Sequence, residues 1–227
     1  MRARLQALKQ DQQKLYRTLE PFVVFSVGSA AIDFQVLVPN SIASDARYLV
    51  PSVEGVALVA LLFILWLERK DTNPRDLNLA RKVSIGFITI MGLATAFELY
   101  RVLDRLLGGQ VHDGRQLVFA GMKLWGTFLI VFALIYWELD LGGPVARHRK
   151  LPAFMHLRFP QNEDPKMYPK FRPTFSDYLY VSVTNSTAFS PTDTMPLTHS
   201  AKFFMGIQAL LSLATIGIIG ARAVNIL

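Results

Sequence analysis

The chain has 227 residues, 52% of them hydrophobic and 18% charged, with a mean hydropathy of +0.31, whereas a soluble domain carries charge at about a quarter of its positions. This composition excludes an ordinary soluble globule and a disordered chain, and the absence of cysteine excludes a disulfide framework. A formal charge of +7 suits nucleic acid in a soluble protein, but in a chain this apolar it marks the loops that stay on one side of a bilayer.

Residues 1–20 open the chain with Arg2, Arg4, Lys9, Asp11, Lys14, Arg17 and Glu20, charges that interrupt any apolar stretch a signal peptidase needs, so this segment is expected to be retained. Met1, Leu5, Leu8, Gln12, Leu15, Leu19 and Phe22 recur at spacings of four and three, which predicts an amphipathic cytoplasmic or interfacial helix. Five runs are then long and apolar enough to cross about 30 Å of hydrocarbon: 21–38, 50–67, 83–103, 117–137 and 201–227. The first four form an expected four-span bundle over 21–138.

Lys and Arg alternate between poor and rich loops along the chain. The N-terminal segment holds five, the second loop has Arg69, Lys70, Arg75, Arg81 and Lys82, and the fourth has Arg147, Arg149, Lys150, Arg158, Lys166, Lys170 and Arg172. Basic residues resist translocation, so the N-terminus and the fourth loop are expected in the cytoplasm and the C-terminus outside. The fourth loop, 139–175, interleaves Pro144, Pro152, Pro160, Pro165, Pro169 and Pro173 with Phe154, Phe159, Tyr168 and Phe171. A free linker has no use for those aromatics, so an ordered surface packed on the membrane face or on another subunit is expected. No nucleic-acid motif accompanies them.

Residues 176–191 begin apolar but are too short and too rich in hydroxyls to cross as a helix. They predict a re-entrant half-helix capped by Thr174, Ser176 or Asp177, followed by non-helical backbone that a membrane tolerates only in a protein interior or a wet cavity. Ionisable residues at membrane depth are costly and point to sites. Asp33, Glu54, Glu98, Arg101 and Lys123 are the candidates. Glu98 and Arg101 are spaced to pair along one helix, and Lys123 has Glu98, Asp33 or Glu54 as partners on other helices. An ion pair that orients the bundle and an ion or proton path are both compatible with this set. In 201–227 the step from Gly217 to Ala221 permits close helix approach, either within the chain or between subunits.

Residues 182–198 resemble, without gaps, the pore helix and filter of potassium channels, with matches at Ser182, Val183, Thr187, Asp193, Pro196 and Thr198. The family's Thr-Val-Gly-Tyr-Gly filter is replaced by Ala188, Phe189, Ser190, Pro191 and Thr192. Ser190 and Thr192 stand where glycines permit alternating backbone handedness, and Pro191 locks φ between them, which argues against potassium selectivity. Over roughly the last 90 residues the chain is similar to a family of bacterial integral membrane proteins defined by a domain of unknown function. The likeness rests on Trp137-Glu138, Gly142-Gly143, Phe159-Pro160, Asp177-Tyr178-Leu179-Tyr180, Thr187 to Ser190, Asp193 and Asn225. It implies a multi-span protein with a degenerate pore-loop hairpin and supplies no activity. In potassium channels the filter opens outside, whereas the loop charges here place the hairpin inside; the charge-based orientation is kept.

Nucleotide, phosphate-loop, zinc-protease and serine-hydrolase motifs are missing, and His112, His148, His156 and His199 are scattered, so neither an enzyme nor a metal or cofactor site is expected. The expected protein is thus an all-α integral membrane protein with about five transmembrane helices and, over 176–227, a pore-loop-like hairpin leading into the last one. Two functions fit. One is a pore-loop protein of the bacterial plasma membrane, a homo-oligomer (tetrameric if channel-like), conducting an ion or small solute past Thr187, Ala188, Phe189, Ser190, Pro191, Thr192 and Asp193. The other is a non-conducting structural or accessory subunit of a larger membrane complex. The bilayer is a partner in both, and nucleic acid in neither.

Overall fold

A computed structural model describes residues 74–108, 114–149, 153–169, 171–188, 190 and 193–226. The amphipathic segment 1–20, the expected spans 21–38 and 50–67, and Asp33 and Glu54 lie outside the described residues, as do Phe189, Pro191 and Thr192. What is described is mostly helical: α1 (Pro74–Leu107), α2 (Gly114–Leu139), a 3-10 turn (Asp140–Gly142), α3 (Gly143–Arg149), α4 (Phe175–Thr187) and α5 (His199–Ile226), with a two-stranded antiparallel ladder of β1 (Leu157–Arg158) and β2 (Met195–Pro196). Three helices are long and apolar enough to cross a membrane, over Ser84–Leu106, Leu117–Gly142 and His199–Ile218. These coincide with three of the five runs expected from hydropathy.

The centre of the bundle is α2. Leu117, Leu124, Phe128 and Val131 form a buried stripe along it, and from Val131 to Glu138 nearly every residue is buried, whereas Val118, Phe119 and Met122 near its start are exposed; the second half is thus the part covered on several sides. It is flanked by α1, α4 and α5. Phe87 and Met91 of α1, Tyr178 and Val181 of α4, and Ala201 and Met205 of α5 complete the core. The outward faces of α1 and α5 stay apolar and exposed, with Leu93, Phe97, Phe203, Leu210 and Leu213 among them, the inverse of a water-soluble bundle and the pattern expected of a lipid-facing surface.

At the end of α2 the chain turns through three successive residues with positive φ, Leu141 (51°), Gly142 (75°) and Gly143 (86°). Gly143 is required there twice over: its φ disfavours a side chain, and a Cβ would lie 2.6 Å from Glu138 Oε1. The polypeptide that follows is held to this end of the bundle by Asp140, which is fully buried. Its Oδ1 accepts the backbone N–H groups of His156 (2.7 Å) and Leu157 (3.1 Å), and its Oδ2 accepts the Tyr178 hydroxyl (2.7 Å). Arg147 donates to the carbonyls of Trp137 and Asp140 and lies over the rings of Trp137 and Tyr178. Phe159 meets Tyr178 and Phe171 edge-on. The described part of the Pro- and aromatic-rich connection is therefore an ordered cap on the chain's own bundle end, whereas the sequence led to the expectation of packing on the membrane face or on another subunit.

The direction of each helix follows from its contacts. Ser84 bonds Glu138 and Glu98 bonds Lys123, so α1 and α2 are antiparallel. Trp137 meets Phe175 and Ser182 donates to the Leu129 carbonyl, so α4 runs antiparallel to α2. Ser182 pairs with Gln208 and Ser186 with Ser212, a constant offset of 26 that makes α4 and α5 parallel. Two consecutive helices can be parallel only if the connection between them returns to its starting end. It does so: β2 pairs with β1, and the Leu197 N–H donates to the His156 carbonyl beside Asp140.

Candidate functional site

The 13 residues of α4 rise about 20 Å at 1.5 Å per residue, roughly two-thirds of a hydrocarbon core. The start of α4 is set by Thr174, whose N–H and hydroxyl both donate to Asp177 Oδ2 (2.6 and 2.8 Å), so the first turn carries both a cap and a negative charge at the positive end of the helix. Its end is closed by the Ala188 N–H, which donates to the Thr184 carbonyl.

The two faces of α4 differ. On the inner face Ser182, Asn185 and Ser186 are buried together with Tyr136, Gln208 and Ser212 in one connected polar network. Gln208 Oε1 accepts from the Tyr136 hydroxyl and from Asn185 Nδ2 (3.0 Å), and Gln208 Nε2 donates to the Ser182 carbonyl and to Oγ of Ser182 and Ser186. Asn185 Nδ2 also reaches the Met205 carbonyl, and Ser182 Oγ passes its own proton to the Leu129 carbonyl. Polar groups away from water are costly unless satisfied; here the side chains satisfy each other, fixing the rotation and depth of α4 against α2 and α5. On the outer face Ser176, Tyr180 and Thr187 form an exposed stripe at helical spacing, continued by Ala188, Ser190 and Asp193. Thr184 and Thr187 return their hydroxyl protons to carbonyls one turn back, so that side of the helix needs no partner from elsewhere in the chain.

Of the filter-like residues, Thr187, Ala188, Ser190 and Asp193 are thus brought to one exposed tip. Thr194 directly beyond them is buried. Compared with protein-family models, with curated proteins and with solved structures, the chain matches none of them. The geometry alone therefore carries the functional argument.

The second candidate set divides differently. Lys123 Nζ lies 3.1 Å from Glu98 Oε1, with the lysine side chain 8% exposed and the glutamate 24%. Arg101 does not join Glu98 but stands over the Phe97 ring at 6.0 Å, leaving the α1–α2 pair as the interhelical one. Two buried carboxylates are not among the site residues expected from sequence, although Glu138 enters the family likeness. Glu138 accepts from Ser84 Oγ (2.9 Å) and lies 3.5 Å from Arg81 Nε, and Asp140 anchors the cap. Glu138 ends a long uncharged run and Asp140 follows two residues later, so both look like ordinary loop charges in a linear sequence. The signal that could have flagged them is their position just before Gly142-Gly143, where a tight turn folds the chain back over its own helix end. Gln208 was missed because it carries no charge and so does not stand among the ionisable residues that mark sites at membrane depth. Among the described residues no group of His, Asp and Glu is arranged to hold a metal ion.

Proposed function

We propose that this chain is a pore-loop membrane protein in which α4 is a re-entrant half-helix and the segment 187–193 lines a path for an ion or small solute without potassium selectivity. The observation that carries this reading is the two-sided character of α4. Its inner face is locked by Gln208, while its tip, at Thr187, Ala188, Ser190 and Asp193, stays exposed in a single chain. A hairpin used only to pack its own bundle has no reason to leave that tip uncovered. Completing the walls of such a path takes further copies, so the protein is read as a homo-oligomer, tetrameric in keeping with the resemblance of 182–198 to potassium-channel pore helices. The replacement of both filter glycines by Ser190 and Thr192 argues for another selectivity. In this reading the protein sits in a bacterial plasma membrane with its N-terminus and the cap on the cytoplasmic side, which the excess of Lys and Arg in those segments supports.

The accessory-subunit reading draws on the cap itself, which exposes Phe154, Met167 and Tyr168 among basic residues and so offers a surface to a partner protein. Flux of K⁺, Na⁺, H⁺ and Cl⁻ into liposomes carrying the purified protein separates the two. Transport above that of empty liposomes, altered by Pro191→Gly, supports the pore; folded, oligomeric protein with no flux of any of them supports the accessory subunit.

A further inference from the structure

The structure assigns a binding site that is separate from the α4 hairpin. Both α1 and α5 pack on α2, and between them lies an open trough of about 420 Å³, within the roughly 300–1,000 Å³ of small-molecule sites. Its walls are Ile85, Ile88 and Leu93 of α1, Ile135 of α2 and Phe204 of α5, with Gly92 opening the floor. The one hydroxyl in the wall, Thr89, donates to the Ile85 carbonyl, so its proton is not available to an occupant of the trough.

At the mouth the chemistry changes. Arg81 is half exposed, and Glu138 Oε1 at 3.5 Å from its Nε orients the guanidinium. The two Nη groups make no hydrogen bond among the described residues, and Lys82 beside it is exposed. Among the described residues the mouth therefore holds Arg81 and Lys82 against Glu138, one positive charge in excess, at the end of an apolar groove.

The vertical placement fits the same occupant. Candidate spans begin at Ser84 on α1 and end at Gly142 on α2, so Arg81 stands just outside the apolar region, where headgroups lie. From Ile85 to Leu93 the trough descends about 12 Å along α1 at 1.5 Å per residue, close to the depth of one leaflet, which is half of about 30 Å. We propose that the trough holds one acyl chain of an anionic phospholipid, with its phosphate on the Arg81 guanidinium. Arginine is suited to this task because its planar fork matches phosphate geometry.

The test is electron spin resonance of the full chain in phosphatidylcholine vesicles, using chain-labelled phosphatidylglycerol or chain-labelled phosphatidylcholine as probe. The expected result is a motionally restricted fraction severalfold larger for phosphatidylglycerol. Arg81→Gln should bring the two probes together. Gly92→Leu should reduce the restricted fraction of both, while Gly92→Ala, whose Cβ would stand 3.8 Å from Val131 Cγ1 in ordinary contact, should leave it unchanged and show that α1 accepts a side chain there. Equal association of the two probes with the wild-type protein overturns the proposal, as does a phosphatidylglycerol preference that survives Arg81→Gln. Insensitivity of both probes to Gly92→Leu also overturns it, and would mean that the trough is filled by another part of the chain.

Discussion

Gln208 is the residue on which the seating of α4 depends, and the cost of losing it can be worked bond by bond. In Gln208→Leu, Asn185 keeps the Met205 carbonyl, Ser182 keeps Leu129, and Ser186 still accepts from Ser212. The Tyr136 hydroxyl, fully buried, loses the one acceptor assigned to it. An orphaned buried polar group costs about 1–3 kcal/mol, and each lost interhelical hydrogen bond about 0.6 kcal/mol on the average measured within membranes. Gln208 makes five such bonds, and the four besides that to Tyr136 add about 2.4 kcal/mol to the cost of the stranded hydroxyl, so the substitution should destabilise the protein by about 3–5 kcal/mol. Tyr136→Phe alone removes one bond and orphans nothing, since Gln208 Oε1 retains Asn185, and should cost about 0.5–1 kcal/mol. In the double variant the stranded hydroxyl is gone, so the combined loss should fall short of the sum by about 1–2 kcal/mol. Reversible unfolding in mixed micelles, titrated with denaturing detergent, gives all four corners of the cycle. Additivity within about 0.5 kcal/mol, the scatter of independent sites, would refute the assignment of Gln208 as the partner of Tyr136.

Three further outcomes are expected. Lys123→Met strands the Glu98 carboxylate between α1 and α2 and should cost about 3–5 kcal/mol, most of it recovered when Glu98→Gln is added; no recovery in the same unfolding assay would remove the pair from the list of interhelical ties. Asp140→Asn replaces an acceptor with a donor facing either two backbone N–H groups or the Tyr178 hydroxyl, at a cost of about 1–3 kcal/mol. Limited proteolysis should then cut within 153–173 while α2 and α5 stay intact, and an unchanged cleavage pattern would count against Asp140 as the anchor. Asp193→Asn should change ion flux or its cation preference in liposomes without altering oligomeric size, and flux identical to wild type in a conducting protein would exclude that carboxylate from the path.

The helices of greatest apolar content were legible in the linear chain. The expected runs at 83–103 and 117–137 fall inside α1 and α2, and that at 201–227 overlaps α5 with a two-residue earlier start, because long uniform hydropathy needs no tertiary information. The start of α4 was legible too, since Thr174 and Asp177 cap it through contacts three residues apart. What could not be seen was partnership. Glu98 has Arg101 one turn away on its own helix, yet Lys123, 25 positions along, takes the bond, because packing α1 on α2 excludes water from the interhelical side and leaves Arg101 free to turn outward over Phe97. The ties of Asp140 to His156, Leu157 and Tyr178 likewise depend on a turn whose three positive φ angles carry no signature beyond a pair of glycines.

The parallel arrangement of α4 and α5 also bears on how the protein is made. Ribosomal synthesis delivers Ser182, Asn185 and Ser186 well before Gln208 and Ser212, so when α4 emerges it can meet Leu129 and Asp140 of the earlier chain but not the partners that α5 supplies. A nascent chain halted before His199 can pack α4 on α2 but leaves Asn185 and Ser186 without the Gln208 and Ser212 side chains that bond them. The hairpin is therefore assembled last, when α5 inserts and carries the amide of Gln208 alongside it, and biogenesis of the tip is coupled to completion of the C-terminus.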